Sequence, residues 1–241
     1  VALAQADMKR LIAYSSVSHL GFCMLGVFAL NRLGIEGGVL QMINHGLSTG
    51  GLFAAVGMIY ERYHTRRIAD LGGLARRTPR LAAFFVLLTL ASIGLPGLNG
   101  FAGEFLLLVG MFQRAWGDPL PQAAGQLRVI AVLATLGVVL GAWYMLQLVE
   151  RVFFGPLREP GHAVEPAAGA VQGMAAQHDQ PVSPAPVADL SLREIMALAP
   201  LAAFILWIGL WPGFFLDRMA PTLNRLSSPA IASAAGQEHT H

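Results

Sequence analysis

Residues 81–114 read LAAFFVLLTLASIGLPGLNGFAGEFLLLVGMFQR, and this stretch decides the architecture. It is apolar from end to end, yet it is too long for one membrane crossing. About 34 residues at ~1.5 Å per residue make a helix of about 50 Å, and the hydrocarbon core of a bilayer is about 30 Å thick. Its middle, Gly94-Leu95-Pro96-Gly97-Leu98-Asn99-Gly100-Phe101, explains the length. Pro96 removes a backbone donor and clashes with the preceding turn, and three glycines weaken the helix further. The reading is a broken helix: Leu81–Ile93, an unwound segment, then Gly103–Gln113.

Composition agrees with a membrane setting. The chain is 55% hydrophobic and 12% charged, with a mean hydropathy of +0.56. Soluble domains carry about 25% charged residues, so the fold class is all-α, a polytopic transmembrane helix bundle. On either side of the break, further apolar runs of about 20 residues predict spans at Leu11–Leu30, Gly37–Tyr60, Arg128–Val149 and Ile195–Leu216. In domain terms, residues 1–154 are transmembrane helices with the broken helix at 81–114. Residues 155–190 form a loop, 191–218 the last transmembrane helix and 219–241 a tail. The loop is rich in Pro, Ala, Gly and Gln, which predicts flexibility, and the tail is predicted to be disordered. Trp207 and Trp211 suit an interfacial belt. The opening Val1–Gln5 reads as the tail of a helix cut in half, so the chain is expected to be a fragment lacking an N-terminal part.

Lys9, the only lysine, and Arg10 precede span one, and arginines cluster between residues 62 and 80. By the positive-inside rule both places face the cytoplasm. Alternation then puts the 155–190 loop on the same side and the C-terminus outside. No basic stripe suited to nucleic acid is visible. The single cysteine, Cys23, cannot form an intrachain disulfide or a cysteine cluster. No HExxH or phosphate-binding Gly-rich loop occurs, so neither a metal nor a cofactor site is expected.

Ionisable side chains at membrane depth are expensive and are functional candidates by default. Within the spans these are His19, His45 and Glu104. Histidine titrates near neutrality when unperturbed, and hydroxyls with ordered water could link such groups. The chemistry expected of them is proton transfer. Glu104 is the strongest candidate because it sits beside the break, where transporters place ion sites. Lys9, Ser18, Asn44, Ser48 and Pro96 are the supporting candidates. For His19 and His45 a plain helix–helix hydrogen bond is an equally good reading. Lys9 alone reads first as an anchor at the membrane surface. Gly46, Gly50, Gly51 and Gly57 are expected to permit close helix packing, and Glu36 to be an interfacial charge.

Three motifs carry a resemblance. Ala6–Gly21 (ADMKRLIAYSSVSHLG), Asn44–Phe53 (NHGLSTGGLF) and Leu95–Phe105 (LPGLNGFAGEF) are similar to signatures of the antiporter-like membrane subunits of respiratory complex I. The likeness covers Ala6–Gln113, with looser agreement through Leu216. Glu104 on the broken helix resembles the M type, where the L and N types usually carry lysine. The resemblance implies a proton-translocating subunit of NADH–quinone oxidoreductase, built from two inverted repeats, of which this chain would hold the second. It implies that His19, His45 and Glu104 lie on a central hydrophilic axis. It also implies L-type and N-type neighbours in a bacterial inner membrane. NADH, FMN, iron–sulfur clusters and quinone would be held by other subunits. A subunit of an Mrp-type cation/proton antiporter or of a membrane-bound hydrogenase is the alternative. Asn44 departs from the motif, where a small residue such as alanine is expected.

Overall fold

The computed structural model describes residues 1–117, 124–160 and 187–223. The α-helices that build the bundle are α1 (Met8–Phe28), α2 (Arg32–Tyr63), α3 (Pro79–Ser92), α4 (Asn99–Trp116), α5 (Ala124–Phe153) and α6 (Leu192–Leu210). No strand occurs among them. Three helices, α1, α5 and α6, are long and apolar enough to cross a membrane. Helices α2 and α4 carry more glycine and amide residues, and several of these meet where the two helices cross.

The helix boundaries follow from local chemistry. Asp7 caps α1 by accepting from Arg10 N at 3.0 Å, and Asn31 caps α2 by accepting from Gly34 N at 2.9 Å. Such caps satisfy backbone donors that the helix itself leaves free. Helix α2 ends where His64 adopts a left-handed φ of 53°. Helix α3 opens with Pro79 in its first turn, a position where the missing N–H is no loss. Its cap comes from far along the chain: Asp189 accepts from Arg80 N at 2.8 Å and Leu81 N at 3.2 Å. Helix α6 begins with a capping box between Ser191 and Glu194.

The expected break is present, but α4 resumes at Asn99, four residues before Gly103. Tertiary hydrogen bonds explain the difference. Asn44 Nδ2 donates to the Asn99 carbonyl at 2.7 Å, and Asn99 Nδ2 donates to the Asn44 carbonyl at 3.3 Å. This reciprocal pair fixes Asn99 at the start of the helix, so Gly100 and Gly103 lie inside α4. The break itself is a turn in which Gly94 and Gly97 have φ of +71° and +91°, a region that residues with a Cβ rarely adopt.

Helix α2 lies centrally, against α1, α3, α4 and α6. Its close approach to α4 uses Gly34, Gly37, Gly103 and Gly110; a Cβ on Gly110 would run into the backbone of Gly34. Small residues let helices approach in this way where no hydrophobic drive separates lipid from protein. Gly46, Gly50 and Gly57, expected to do this, instead face open space, and of that set only Gly51 packs, against Leu88. The expectation failed because spacing along a helix does not say which face meets a neighbour. Glu36 likewise is buried, and Arg32 Nε donates to it at 2.8 Å.

One face of the bundle gathers the basic ends. Backbone bridges join Asp7 to Arg67 and Gly72 to Arg158. Arg62, at the end of α2, grips Glu194 at the start of α6 through two bonds of 2.7 and 2.8 Å. The start of α1, the end of α2, the starts of α3 and α6 and the end of α5 therefore lie together. Beneath them sits the main core, where Phe85 and Phe153 meet with ring centroids 4.8 Å apart.

Two boundaries differ from expectation. The expected last span ends at Leu210; the chain turns at Trp211 and is helical again over residues 212–223. Pro212 cannot continue the first helix but can open a second, so residues 219–223 are helical. Of the expected loop, residues 155–160 and 187–190 are packed against the basic face; residues 161–186 lie outside the described residues, as do 118–123 and the tail from 224. Trp207 and Trp211 are both substantially exposed.

Candidate functional site

The site lies where α1, α2 and α4 cross, beside the break. Glu104 is in the second turn of α4 and is 5% exposed. One carboxylate oxygen, Oε1, stands 3.3 Å from His19 Nδ1 on α1 and accepts from Gln41 Nε2 on α2 at 3.1 Å. His19 is 6% exposed, and its Nε2 is 3.4 Å from the Ser92 hydroxyl at the end of α3. The ring of His45 lies 5.1 Å from that of His19, and its Nδ1 is 3.1 Å from Thr49 Oγ1. The three ionisable residues singled out in the sequence thus form one continuous group.

The local fold serves this placement. Gly94 leaves room for the carboxylate: a Cβ there would collide with Glu104 Oε2. Gly103 does the same for Gln41 and Asn44, whose amides would otherwise meet a methyl group. The helix break thereby brings α4 against α2 and turns Glu104 toward His19.

The supporting candidates divide. Asn44 is buried and anchors Asn99, so it shapes the break. Ser48 donates to the Asn44 carbonyl of its own helix at 3.0 Å. Ser18 is exposed and lies at the edge of a small cavity beside His19, while Ser15 is the buried serine of that helix face. Pro96 is exposed in the turn. Lys9 is not brought into the group. It lies ten residues before His19, about 15 Å along a helix, and lines an open groove with Phe53, Tyr60 and Arg66. Sequence reasoning missed Gln41, Ser92 and Tyr144. Gln41 is four residues before His45 on α2, a helical neighbour that could have been noticed; the other two depend on tertiary packing alone.

Electrostatics limits what the group can hold. Hydrogen bonds that reach the pair come from Gln41 to Glu104 and between Ser92 and His19. Two imidazolium ions at 5.1 Å would repel by about 3 kcal/mol at an effective dielectric of about 20. Contacts of 3.1–3.4 Å from Gln41 and Ser92 to the pair, and of Thr49 to His45, hold each side chain in place.

Apolar helices long enough to cross a membrane, packed around a buried carboxylate–histidine group, mark a multi-pass membrane protein. Residues 1–119 match the family described as NADH:quinone oxidoreductase/Mrp antiporter, TM. The chain is 41% identical over 227 residues to NADH-quinone oxidoreductase subunit M of Rhodobacter capsulatus, covering 94% of this chain and 38% of that protein. The fold matches a chain of respiratory complex I from Thermus thermophilus with TM-score 0.68 and 33% identity, over 94% of this chain and 41% of that one. It also matches a chain of the Mrp complex from Dietzia sp. with TM-score 0.74 and 22% identity, over 96% and 45% respectively, a likeness of fold alone. The chain spans about two fifths of the length of the subunit M relative.

Proposed function

We propose that this chain forms the second antiporter-like repeat of a proton-translocating membrane subunit of NADH–quinone oxidoreductase, of the M type. The observation that carries the reading is the Glu104–His19 pair, 3.3 Å apart and almost wholly buried beside the break in α3–α4. In this reading Glu104 and His19 exchange a proton directly. His45 takes or supplies it on the side of α2, with Thr49 holding its ring. Gln41 fixes the carboxylate for the exchange. Electron transfer takes place elsewhere in the complex, where NADH, FMN, iron–sulfur clusters and quinone are bound by other subunits. The neighbours are L-type and N-type antiporter-like subunits in a bacterial inner membrane. The basic face, with Lys9, Arg66 and Arg158, is the cytoplasmic one.

The second reading, a subunit of an Mrp-type cation/proton antiporter or of a membrane-bound hydrogenase, is supported by the shared fold. The 41% identity to a quinone oxidoreductase subunit favours the first. The test is Glu104→Gln in the full-length subunit, with assembly followed on a blue-native gel and NADH-driven proton pumping measured in membrane vesicles. An assembled complex whose pumping falls by about 10²-fold, the scale of a lost proton donor or acceptor, supports the reading. Normal pumping refutes it.

A further inference from the structure

The end of α5 on the basic face carries charges that the proton-transfer reading does not use. A groove of about 750 Å³ opens there between α5, the turn at residues 155–158 and the segment 68–72, a volume typical of small-molecule sites. Glu150, Arg151 and Arg158 line it and are exposed. Among the described residues none of the three has a side-chain hydrogen bond or ion pair. Arg158 is nonetheless held in place, since its backbone exchanges two hydrogen bonds with Gly72, of 2.9 and 3.1 Å. The groove continues an apolar helix face. Leu136, Leu140, Trp143, Gln147, Glu150 and Phe154 follow one another at steps of three and four residues, so they share one side of α5. Leu136, Leu140 and Trp143 are 50–61% exposed, and the last three residues of the row line the groove. From Leu136 to Gln147 is about 16 Å along the helix, close to one leaflet of a hydrocarbon core about 30 Å thick. A molecule that matches this side of α5 has an apolar tail of leaflet length and a charged head at its end.

We propose that this groove binds the headgroup of a zwitterionic glycerophospholipid of the ethanolamine type, from the leaflet on the basic side, with its acyl chains along Leu136, Leu140 and Trp143. Basic pockets at this level of a membrane are suited to lipid headgroups, and the charges here choose the class. Two guanidinium groups fit a phosphodiester, which arginine holds through paired N–H donors. Glu150 fits the primary ammonium that follows the phosphate after two carbons. An ethanolamine headgroup therefore pairs all three charges at once. A purely anionic headgroup would leave Glu150 facing negative charge, and a choline headgroup has no N–H to donate to it. So held, the lipid ties the end of α5 to the segment that leads into α3.

The proposal needs only the membrane crossing of α5 and not the proton-translocation reading above. The test uses the assembled complex with the full-length subunit, in phosphatidylcholine nanodiscs doped with a phosphatidylethanolamine that carries a photoreactive diazirine on its acyl chain. Irradiation is expected to label residues 136–147, read by peptide mass spectrometry. Unlabelled phosphatidylethanolamine should displace the probe about tenfold better than phosphatidylglycerol, because one charge-assisted bond to Glu150 separates them. Arg151→Gln combined with Arg158→Gln should cut the labelling at least tenfold. Glu150→Gln should keep the labelling and lose the preference for ethanolamine. The competition on the native complex decides the matter even if a variant fails to assemble. Absence of label on α5, as when another protein segment covers the groove, overturns the site, and so does full labelling in the assembled double arginine variant. Equal displacement by phosphatidylglycerol overturns the pairing with Glu150. Displacement by inorganic phosphate at the concentration of the lipid assigns the groove to a soluble anion and overturns the lipid.

Discussion

Gly94→Ala tests the link between the helix break and the carboxylate. Gly94 has φ +71°, where a residue with a Cβ is strained by about 1–2 kcal/mol. The new methyl would also collide with Glu104 Oε2. To restore ordinary contact the carboxylate has to retreat by about an ångström. That displacement weakens the bond from Gln41 at 3.1 Å and the contact with His19 at 3.3 Å. A hydrogen bond contributes about 0.5–1.5 kcal/mol, or about 1.5–3 kcal/mol to a charged group, so losing the Gln41 bond costs roughly 1–3 kcal/mol beyond the backbone strain. Misplacing a reacting group by about 1 Å lowers a rate by up to ~10²-fold. Gly97→Ala is the control: its φ is +91°, and nothing lies within 4 Å of the added Cβ. Both variants should lower the thermal midpoint of the detergent-solubilised complex by similar backbone strain. Only Gly94→Ala should suppress NADH-driven pumping in vesicles while the complex still assembles. If Gly97→Ala impairs pumping equally, or Gly94→Ala pumps at the native rate, the steric argument for Gly94 is wrong.

Further predictions concern the scaffold and the supporting residues. Arg62→Lys should destabilise the assembled complex by about 1–3 kcal/mol, since a lysine cannot reproduce the two-bond fork on Glu194. Arg77→Lys, whose contact with Glu159 is 3.7 Å and half exposed, should shift the thermal midpoint very little. Asn44→Ala should cost about 1–3 kcal/mol by leaving the Asn99 carbonyl unpartnered. Ser48→Ala should be nearly neutral in both stability and pumping, because its hydroxyl only bonds back to its own helix; a large pumping defect there would reinstate it as a proton-path residue.

The residues show unequally how far a sequence reading reaches. Leu81–Arg114 announced its break because proline and glycine act locally, through a missing donor and a missing Cβ. Its end was misplaced because Asn99 is held by Asn44, which is distant in sequence. His19, His45 and Glu104 were legible because an ionisable group in an apolar run is conspicuous whatever its neighbours. Gln41 was passed over because an amide in a helix has no such mark; its role is visible only once Glu104 Oε1 lies 3.1 Å away.

By itself, then, the sequence determined a membrane-spanning all-α chain, one helix broken near Pro96, three ionisable candidates and a family resemblance. These follow from composition, length and local backbone chemistry, which are properties of adjacent residues. The tertiary structure alone decided that the three candidates meet, that Lys9 stands about 15 Å along the helix from His19, and that Gly34, Gly37, Gly103 and Gly110 form the close crossing. It also decided that Tyr144 of α5 reaches the centre. Helical periodicity fixes which residues share a face, but only packing decides which face meets which neighbour.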